Sequence, residues 1–194
     1  FSLAVVHPGA GNIGGGGFMV IRLADGRVTT IDFRETAPSS AFRDMFLDDS
    51  LNVIPGKSWN TAWAAGVPGS VAGFGFAYEK YGSLNWRDLV KPASELATVG
   101  FPLDYQNMTS LNHPYYQEYL SKDEESAKIF SKDGYFTLYE TFIQDDLGET
   151  LERIANGGWK EFYTGKTADM ILDCMQRTDG LITKKDLQNY RAIE

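Results

Sequence analysis

The segment HPGAGNIGGGGFMV, His7 to Val20, sets Gly9, Gly11 and Gly14 in the spacing G-x-G-x-x-G. The apolar run LAVV precedes it, and the acids Asp32 and Glu35 lie roughly 20 residues further on, as in a dinucleotide-binding fingerprint. That chemistry requires a helix directly after the glycines, because the helix N-terminus holds the pyrophosphate. Here Gly14–Gly17 runs into FMVIRL, then a turn, then a second β-branched run, so the element that follows reads as a strand. With no helix there is no dipole for a phosphate, and the acid spacing becomes coincidence. The glycines are expected to serve a sharp turn and a close backbone approach.

Other residues of reactive type fare little better. Ser70 in PGSVAG has the look of a nucleophile elbow, but that motif needs glycine where Pro68 and Ala72 stand. Ser70 is expected to cap a helix N-terminus instead. The only histidines are His7 and His113, too few for an obvious triad, and His7 beside Pro8 reads as structural. Cys174 shares a helical face with Met170 and Ile171 and reads as a core thiol. The acidic clusters LDDS, KDEES and IQDDL lack calcium-loop spacing and read as solvated faces, so no metal or cofactor is expected. Arg34 remains, in IDFRETAP, at a strand end before a proline-containing loop. A guanidinium there can grip a carboxylate through two parallel hydrogen bonds. On residue type alone, pairing with Glu35 or with water is the stronger expectation.

The elements that must position these residues fit one ordinary domain, since 194 residues are enough for a core and short for two domains. A net charge of -8 disfavours nucleic acid and anionic lipid, leaving a small molecule or peptide as partner. One cysteine forbids an internal disulfide, and no apolar run is long enough to span a membrane. No signal peptide is expected within these residues, because Phe1 opens directly on strand-like sequence. FSLAVV reads as the inside of a buried strand stopped at Pro8, and NYRAIE as a helix end running onward, so the chain is expected to be a piece of a longer protein.

GFMVIRL and RVTTIDF form a hairpin over Phe18–Phe33, turning at Ala24–Gly26. A short helix is expected after Pro38, then an exposed loop through DDSLNVIPGKSWNTAW. A helix follows Gly69, with Val71, Phe74, Tyr78 and Tyr81 on one face and Gly82 as C-cap. The next helix is expected from an N-cap at Ser83 to Gly100, marked by Leu84, Leu89, Leu96 and Val99 and split or kinked at Pro92. Residues 104–143 read as an irregular insertion with short helical pieces. Helical patterns return from Asp146, and Thr183 with Asp186 forms a capping-box variant.

Taken in order, HPGAGNIGGGGFMVIRL, TIDFRETAP, GVPGSVAGF, YG-x-L-x-W, EFYTG and GLITKKDLQNY resemble the large-subunit region of γ-glutamyltranspeptidases (glutathione hydrolases), bacterial ones especially. The likeness runs over essentially the whole chain. Trp159 stands where that family often has proline, which reads as a surface-level departure.

The resemblance implies an α+β, N-terminal-nucleophile hydrolase fold, an αββα sandwich of which this chain is a large-subunit portion. It also implies a precursor that cuts itself, freeing a threonine at the N-terminus of a small subunit. That threonine takes the γ-glutamyl group of glutathione or a similar compound as an ester, and water or an amino acid or peptide amine then accepts it. The location implied is periplasmic or secreted. Carried over residue by residue, Arg34 matches the family arginine that binds the substrate's α-carboxylate. No catalytic residue is carried over: Thr29-Thr30 is followed by Ile31, lies inside a strand, and is a decoy for the family's Thr-Thr-His. The alternatives are a non-catalytic homologue, or a related N-terminal-nucleophile amidase acting on another γ-glutamyl or acyl amide.

Overall fold

The computed structural model describes residues 1–194. In chain order its elements are α1 (Ser2–Val6), β1 (Phe18–Arg22), β2 (Val28–Asp32), α2 (Ser70–Tyr81), α3 (Trp86–Val99), β3 (Phe101–Pro102) and α4 (Tyr105–Leu111). Then follow α5 (Pro114–Leu120), α6 (Glu124–Phe130), β4 (Thr141–Phe142), α7 (Asp145–Gly157), α8 (Glu161–Thr164), α9 (Lys166–Arg177) and α10 (Lys184–Asn189). The set is α+β, with the strands in two antiparallel pairs, β1–β2 and β3–β4. The chain divides into two compact units, Phe1–Asn12 with Trp86–Ala155, and Ile13–Asn85 with Asn156–Glu194.

In the first unit the expected opening strand is the helix α1. A short apolar run cannot by itself distinguish a buried strand from a buried helix, and buried side chains decide the matter here. Gln144 donates to the carbonyl of Val5 at 2.9 Å and Asn107 to that of Val6 at 2.9 Å. Those are carbonyls that a helix C-terminus leaves without partners.

The helix expected from Ser83 begins at Trp86 and runs unbroken through Pro92. Pro92 and Asp88 are both exposed, so the carbonyl freed by the missing N–H faces water. The buried face of α3 is Val90, Ala93, Ser94 and Ala97, whereas Leu84, Leu89 and Val99, chosen for size, are exposed. Small residues let α7 come close: Ser94 donates to the carbonyl of Gly148 at 2.9 Å, and a Cβ on Gly148 would meet Thr98 at 2.4 Å. Residues 104–143 hold three short helices, as expected. Asp104, His113 and Asp123 each accept a backbone N–H at a helix start. Phe101 pairs with Phe142 across β3–β4, closing this stretch over a core that includes Leu103, Leu151 and Ile154.

In the second unit the hairpin forms as expected. Phe18 faces Asp32 and Arg22 faces Val28, and Gly26 at φ +89° supplies the left-handed turn residue. The helix expected after Pro38 is instead a run of turns. The segment is held by long-range bonds: Ser39 N–H donates to Asp186 at 2.9 Å and Ser40 Oγ to the carbonyl of Leu181 at 3.0 Å. The helix α2 forms as expected, but its N-cap is Gly69, and Ser70 is a buried first-turn residue. Gly82 is the C-cap, with φ −71°, so it is used without its left-handed freedom. The capping box at Thr183–Asp186 is present in full. After it the chain does not continue as a helix: Ile193 pairs antiparallel with Asp32, extending the hairpin by one bridge.

The packing of α3 and α7 yields a contrast between two apolar truncations. In the full-length protein Leu151→Ala, at a fully buried site, is expected to cost about 2–5 kcal/mol. Val99→Ala, at a site 75% exposed, should stay within about 0.5 kcal/mol. Urea unfolding midpoints check both.

Candidate functional site

Two of the three fingerprint glycines have no steric duty: a Cβ on Gly9 or Gly14 would meet nothing within 4 Å. The glycines that matter in the second unit come just after. A Cβ on Gly16 would lie 2.5 Å from the carbonyl oxygen of Phe33 and 2.9 Å from the carbonyl carbon of Arg34. Gly17 exchanges backbone bonds with Phe33, at 2.9 and 3.3 Å. The carbonyl of Gly15 accepts from the N–H groups of both Gly69 and Ser70, at 2.7 and 2.9 Å. The loop therefore enters a strand, as expected, and caps α2 with its own carbonyl while lying against the backbone of residues 33–35.

Arg34 stands where β2 gives way to this crossing. Its N–H donates to Asp32 Oδ1 at 2.9 Å, and its carbonyl accepts from the Tyr190 hydroxyl at 2.8 Å. The chain beyond is fixed by an antiparallel bridge between Thr36 and Val67. The side chain is 60% exposed and lies 5.9 Å from the Phe18 ring centroid. Its Nε donates to Glu35 Oε2 at 3.1 Å. Both terminal nitrogens remain unpartnered within the chain, so one edge of the guanidinium is open to a carboxylate. The pairing with Glu35 and the availability for a ligand thus coexist.

Behind Arg34 lies a group of residues that fall within the quoted motifs but to which the sequence alone gives no role at the site: Phe33 in TIDFRETAP, Gly69 and Gly73 in GVPGSVAGF, Tyr163 in EFYTG and Tyr190 in GLITKKDLQNY. Phe33 is buried, in edge contact with Phe74 at 5.7 Å, and its ring occupies the space over Gly73, where a Cβ would come within 2.2 Å. A Cβ on Gly69 would lie 2.0 Å from the Phe33 carbonyl oxygen and 2.1 Å from the Tyr190 hydroxyl. Tyr190 stacks on Tyr163, with ring centroids 5.8 Å apart and planes within 10°. The Tyr163 hydroxyl donates to the carbonyl of Pro68 at 2.9 Å and accepts the N–H of Ala72 at 3.1 Å. Burial, with a smaller push from the Asp32 and Glu35 carboxylates, raises the Tyr190 phenol to about 12. Burial raises Tyr163 as well, so both hydroxyls remain neutral donors at any physiological pH. The far side of this aromatic pair lines a cavity of about 440 Å³ with Phe76, Trp159 and Arg191; Arg34 does not line it.

The remaining sequence candidates lie elsewhere or are already occupied. Thr29 and Thr30 sit inside β2, and Thr29 Oγ1 donates to Glu194 at 3.0 Å. His113 caps α5, and the carbonyl of His7 accepts from Ala10 and Gly11 in a turn. Cys174 is half-buried rather than in the core, because α9 buries its first turn, Thr167 and Ala168, and brings its later residues to the surface. Trp159 is more than a surface departure. It is half-buried over Gly75, where a Cβ would come within 2.2 Å of the ring, and its indole N–H donates to Glu79 at 2.7 Å.

The fold is that of the N-terminal-nucleophile hydrolases. A chain of γ-glutamyltranspeptidase from Helicobacter pylori superposes with a TM-score of 0.94 at 43% identity, over 99% of this chain and 55% of that one. The enzyme from Pseudomonas nitroreducens, solved with L-DON, gives 0.90 at 39% identity, over 99% of this chain and 56% of its own. Residues 1–194 match the family model for gamma-glutamyltranspeptidase, and the chain belongs to that family. It is 47% identical to the glutathione hydrolase proenzyme of Escherichia coli over 195 aligned positions, all of this chain and 33% of that protein. The chain thus spans about a third of the length of the curated relatives it matches.

Two outcomes are expected from the crossing behind Arg34. Gly69→Ala should destabilise the full-length protein by about 1–3 kcal/mol, since its methyl has no room against backbone and hydroxyl. Thermal unfolding measures it. The raised Tyr190 value makes the native state bind a proton that the unfolded chain releases near pH 10. Its contribution is full below pH 10 and is lost as pH rises toward about 12, so Tyr190→Phe should lose less stability across that window than the parent. Equal losses in an alkaline unfolding series would contradict it.

Proposed function

We propose that the complete protein transfers γ-glutamyl groups from glutathione and other γ-glutamyl compounds to water or to amino acid and peptide acceptors, and that this chain supplies the grip on the donor. The observation that carries the reading is Arg34, held by backbone at both ends with an open guanidinium edge, in a chain that matches its family over every residue. A γ-glutamyl donor presents a free α-carboxylate whatever amine it carries on the other end. A fixed arginine fork recognises that common feature and leaves the leaving group unspecified.

In this reading the acyl group passes to a threonine outside this chain, at the new N-terminus of a small subunit cut from the same precursor. The relatives' names support a precursor, since the matched E. coli protein is a proenzyme. The lengths agree: the chain fills a third of each precursor it matches but just over half of the crystallised H. pylori chain, so that chain is much shorter than a precursor. The location that goes with the reading is periplasmic or secreted.

The test is release of p-nitroaniline from L-γ-glutamyl-p-nitroanilide by the full-length protein, with and without glycylglycine. Release that rises with glycylglycine is the expected result, and the 194-residue chain alone should give none. No release from a folded, cleaved protein would favour an amidase for another acyl donor. No release and no cleavage would favour a non-catalytic homologue. Arg34→Ala should raise KM for γ-glutamyl donors by the equivalent of about 2–4 kcal/mol, with kcat much less affected. Arg34→Lys should recover only part of that loss, because an ammonium cannot present two parallel donors.

A further inference from the structure

We propose that Tyr190 is a positioning residue for Arg34, setting the binding arginine through a single hydrogen bond to its backbone; the proposal rests on the reading of Arg34 as the donor grip. The Arg34 side chain has one hydrogen bond within the chain, from its Nε to Glu35, and the Phe18 ring lies 5.9 Å from its guanidinium. Its direction therefore depends on where the backbone of residue 34 sits. That backbone has two anchors: the N–H on the Asp32 carboxylate, one turn of local chain away, and the carbonyl on the Tyr190 hydroxyl, which arrives from 156 residues further along. The first anchor moves with the hairpin. Only the second ties residue 34 to the helices.

Tyr190 is built to hold that point still. It follows the last turn of α10, and its own N–H donates to the carbonyls of Asp186 and Leu187, at 3.1 and 3.3 Å. The capping box of Thr183 and Asp186 fixes the other end of that helix. Asp186 also accepts the N–H of Ser39, so α10 grips the arginine-bearing segment at two places, Arg34 and Ser39. The Tyr190 ring lies flat on Tyr163, whose hydroxyl bridges Pro68 and Ala72 at the start of α2. Gly69 leaves the space in which the Tyr190 hydroxyl and the Phe33 carbonyl stand side by side. A tyrosine needed only for packing would require none of this arrangement around its hydroxyl.

The experiment is a double-mutant cycle in the full-length protein, with Tyr190→Phe, Arg34→Ala and the double variant assayed on L-γ-glutamyl-p-nitroanilide. Phenylalanine keeps the ring on Tyr163 and removes only the hydroxyl. The expected result is a KM raised roughly three- to tenfold by Tyr190→Phe with kcat little changed, and no further rise when Arg34 is already alanine. An unchanged KM in Tyr190→Phe overturns the proposal while leaving Arg34 its role. An equal rise in both backgrounds overturns it too, since the hydroxyl would then act otherwise than through Arg34. Loss of the native near-UV circular dichroism in Tyr190→Phe would make the hydroxyl a folding requirement and likewise overturn it. Arg34→Ala with an unchanged KM removes the functional reading itself, and the proposal with it.

Discussion

Three pieces of backbone cross within hydrogen-bonding distance at Phe33–Arg34, and the second unit is organised around that crossing. The glycine loop approaches from one side, where Gly16 and Gly17 lie against residues 33–35. The start of α2 approaches from another, where Gly69 and Gly73 leave room for the Phe33 carbonyl and ring. Tyr190 closes the arrangement from the end of α10. A β-carbon on Gly16, Gly69 or Gly73 would lie 2.0–2.5 Å from an existing atom, and one on Gly17 would lie 3.1 Å from the Phe33 ring. The glycines therefore serve close approach, since neither Gly16, Gly17, Gly69 nor Gly73 uses a positive φ. What results is a short rigid ledge at the end of a hairpin, and an arginine side chain projects from it.

How much of this could be foreseen follows from what kind of force fixes each element. The hairpin, α2 and the capping box rest on local chemistry: β-branched alternation about a glycine turn, a helical repeat after Gly69, and a threonine three residues before an aspartate. Such elements are legible because the signal and the cause lie in the same few residues. The misread elements are those that tertiary contacts decide. Ser2 and the four apolar residues after it form α1, and Asn107 and Gln144, more than 100 residues away in sequence, satisfy its terminal carbonyls. In α3 apolar character did not mark the buried face: Val90, Ala93 and Ala97 are buried, while Leu89 and Val99 face outward. Pro92 did not interrupt the helix because its unpaired carbonyl partner is solvated.

The site divides in the same way. Arg34 was an ordinary loop arginine on residue type and became a candidate only through six motifs in order. Its supporting tyrosines lie in two of those motifs, Tyr163 in EFYTG and Tyr190 in GLITKKDLQNY, but the motifs gave them no role, because a hydroxyl that bonds a backbone carbonyl places no constraint on the sequence around that carbonyl. Trp159 was likewise misjudged, because the residue that accommodates it, Gly75, lies on a helix 84 positions earlier.

The crossing also accounts physically for the first amides of the helix that starts beside the glycine loop. An anion site at a helix N-terminus needs its first amides pointing at empty space. In α2 the N–H groups of Gly69 and Ser70 both reach the Gly15 carbonyl, that of Ala72 reaches the Tyr163 hydroxyl, and that of Gly73 returns to Gly69. Those amides hold the loop and the tyrosine in place. The full positive charge at this ledge is the guanidinium of Arg34, whose Nε is paired with Glu35 and whose terminal nitrogens are open. A helix dipole would have favoured any anion alike. A planar guanidinium fork presents two parallel donors, a geometry that matches a carboxylate met edge-on.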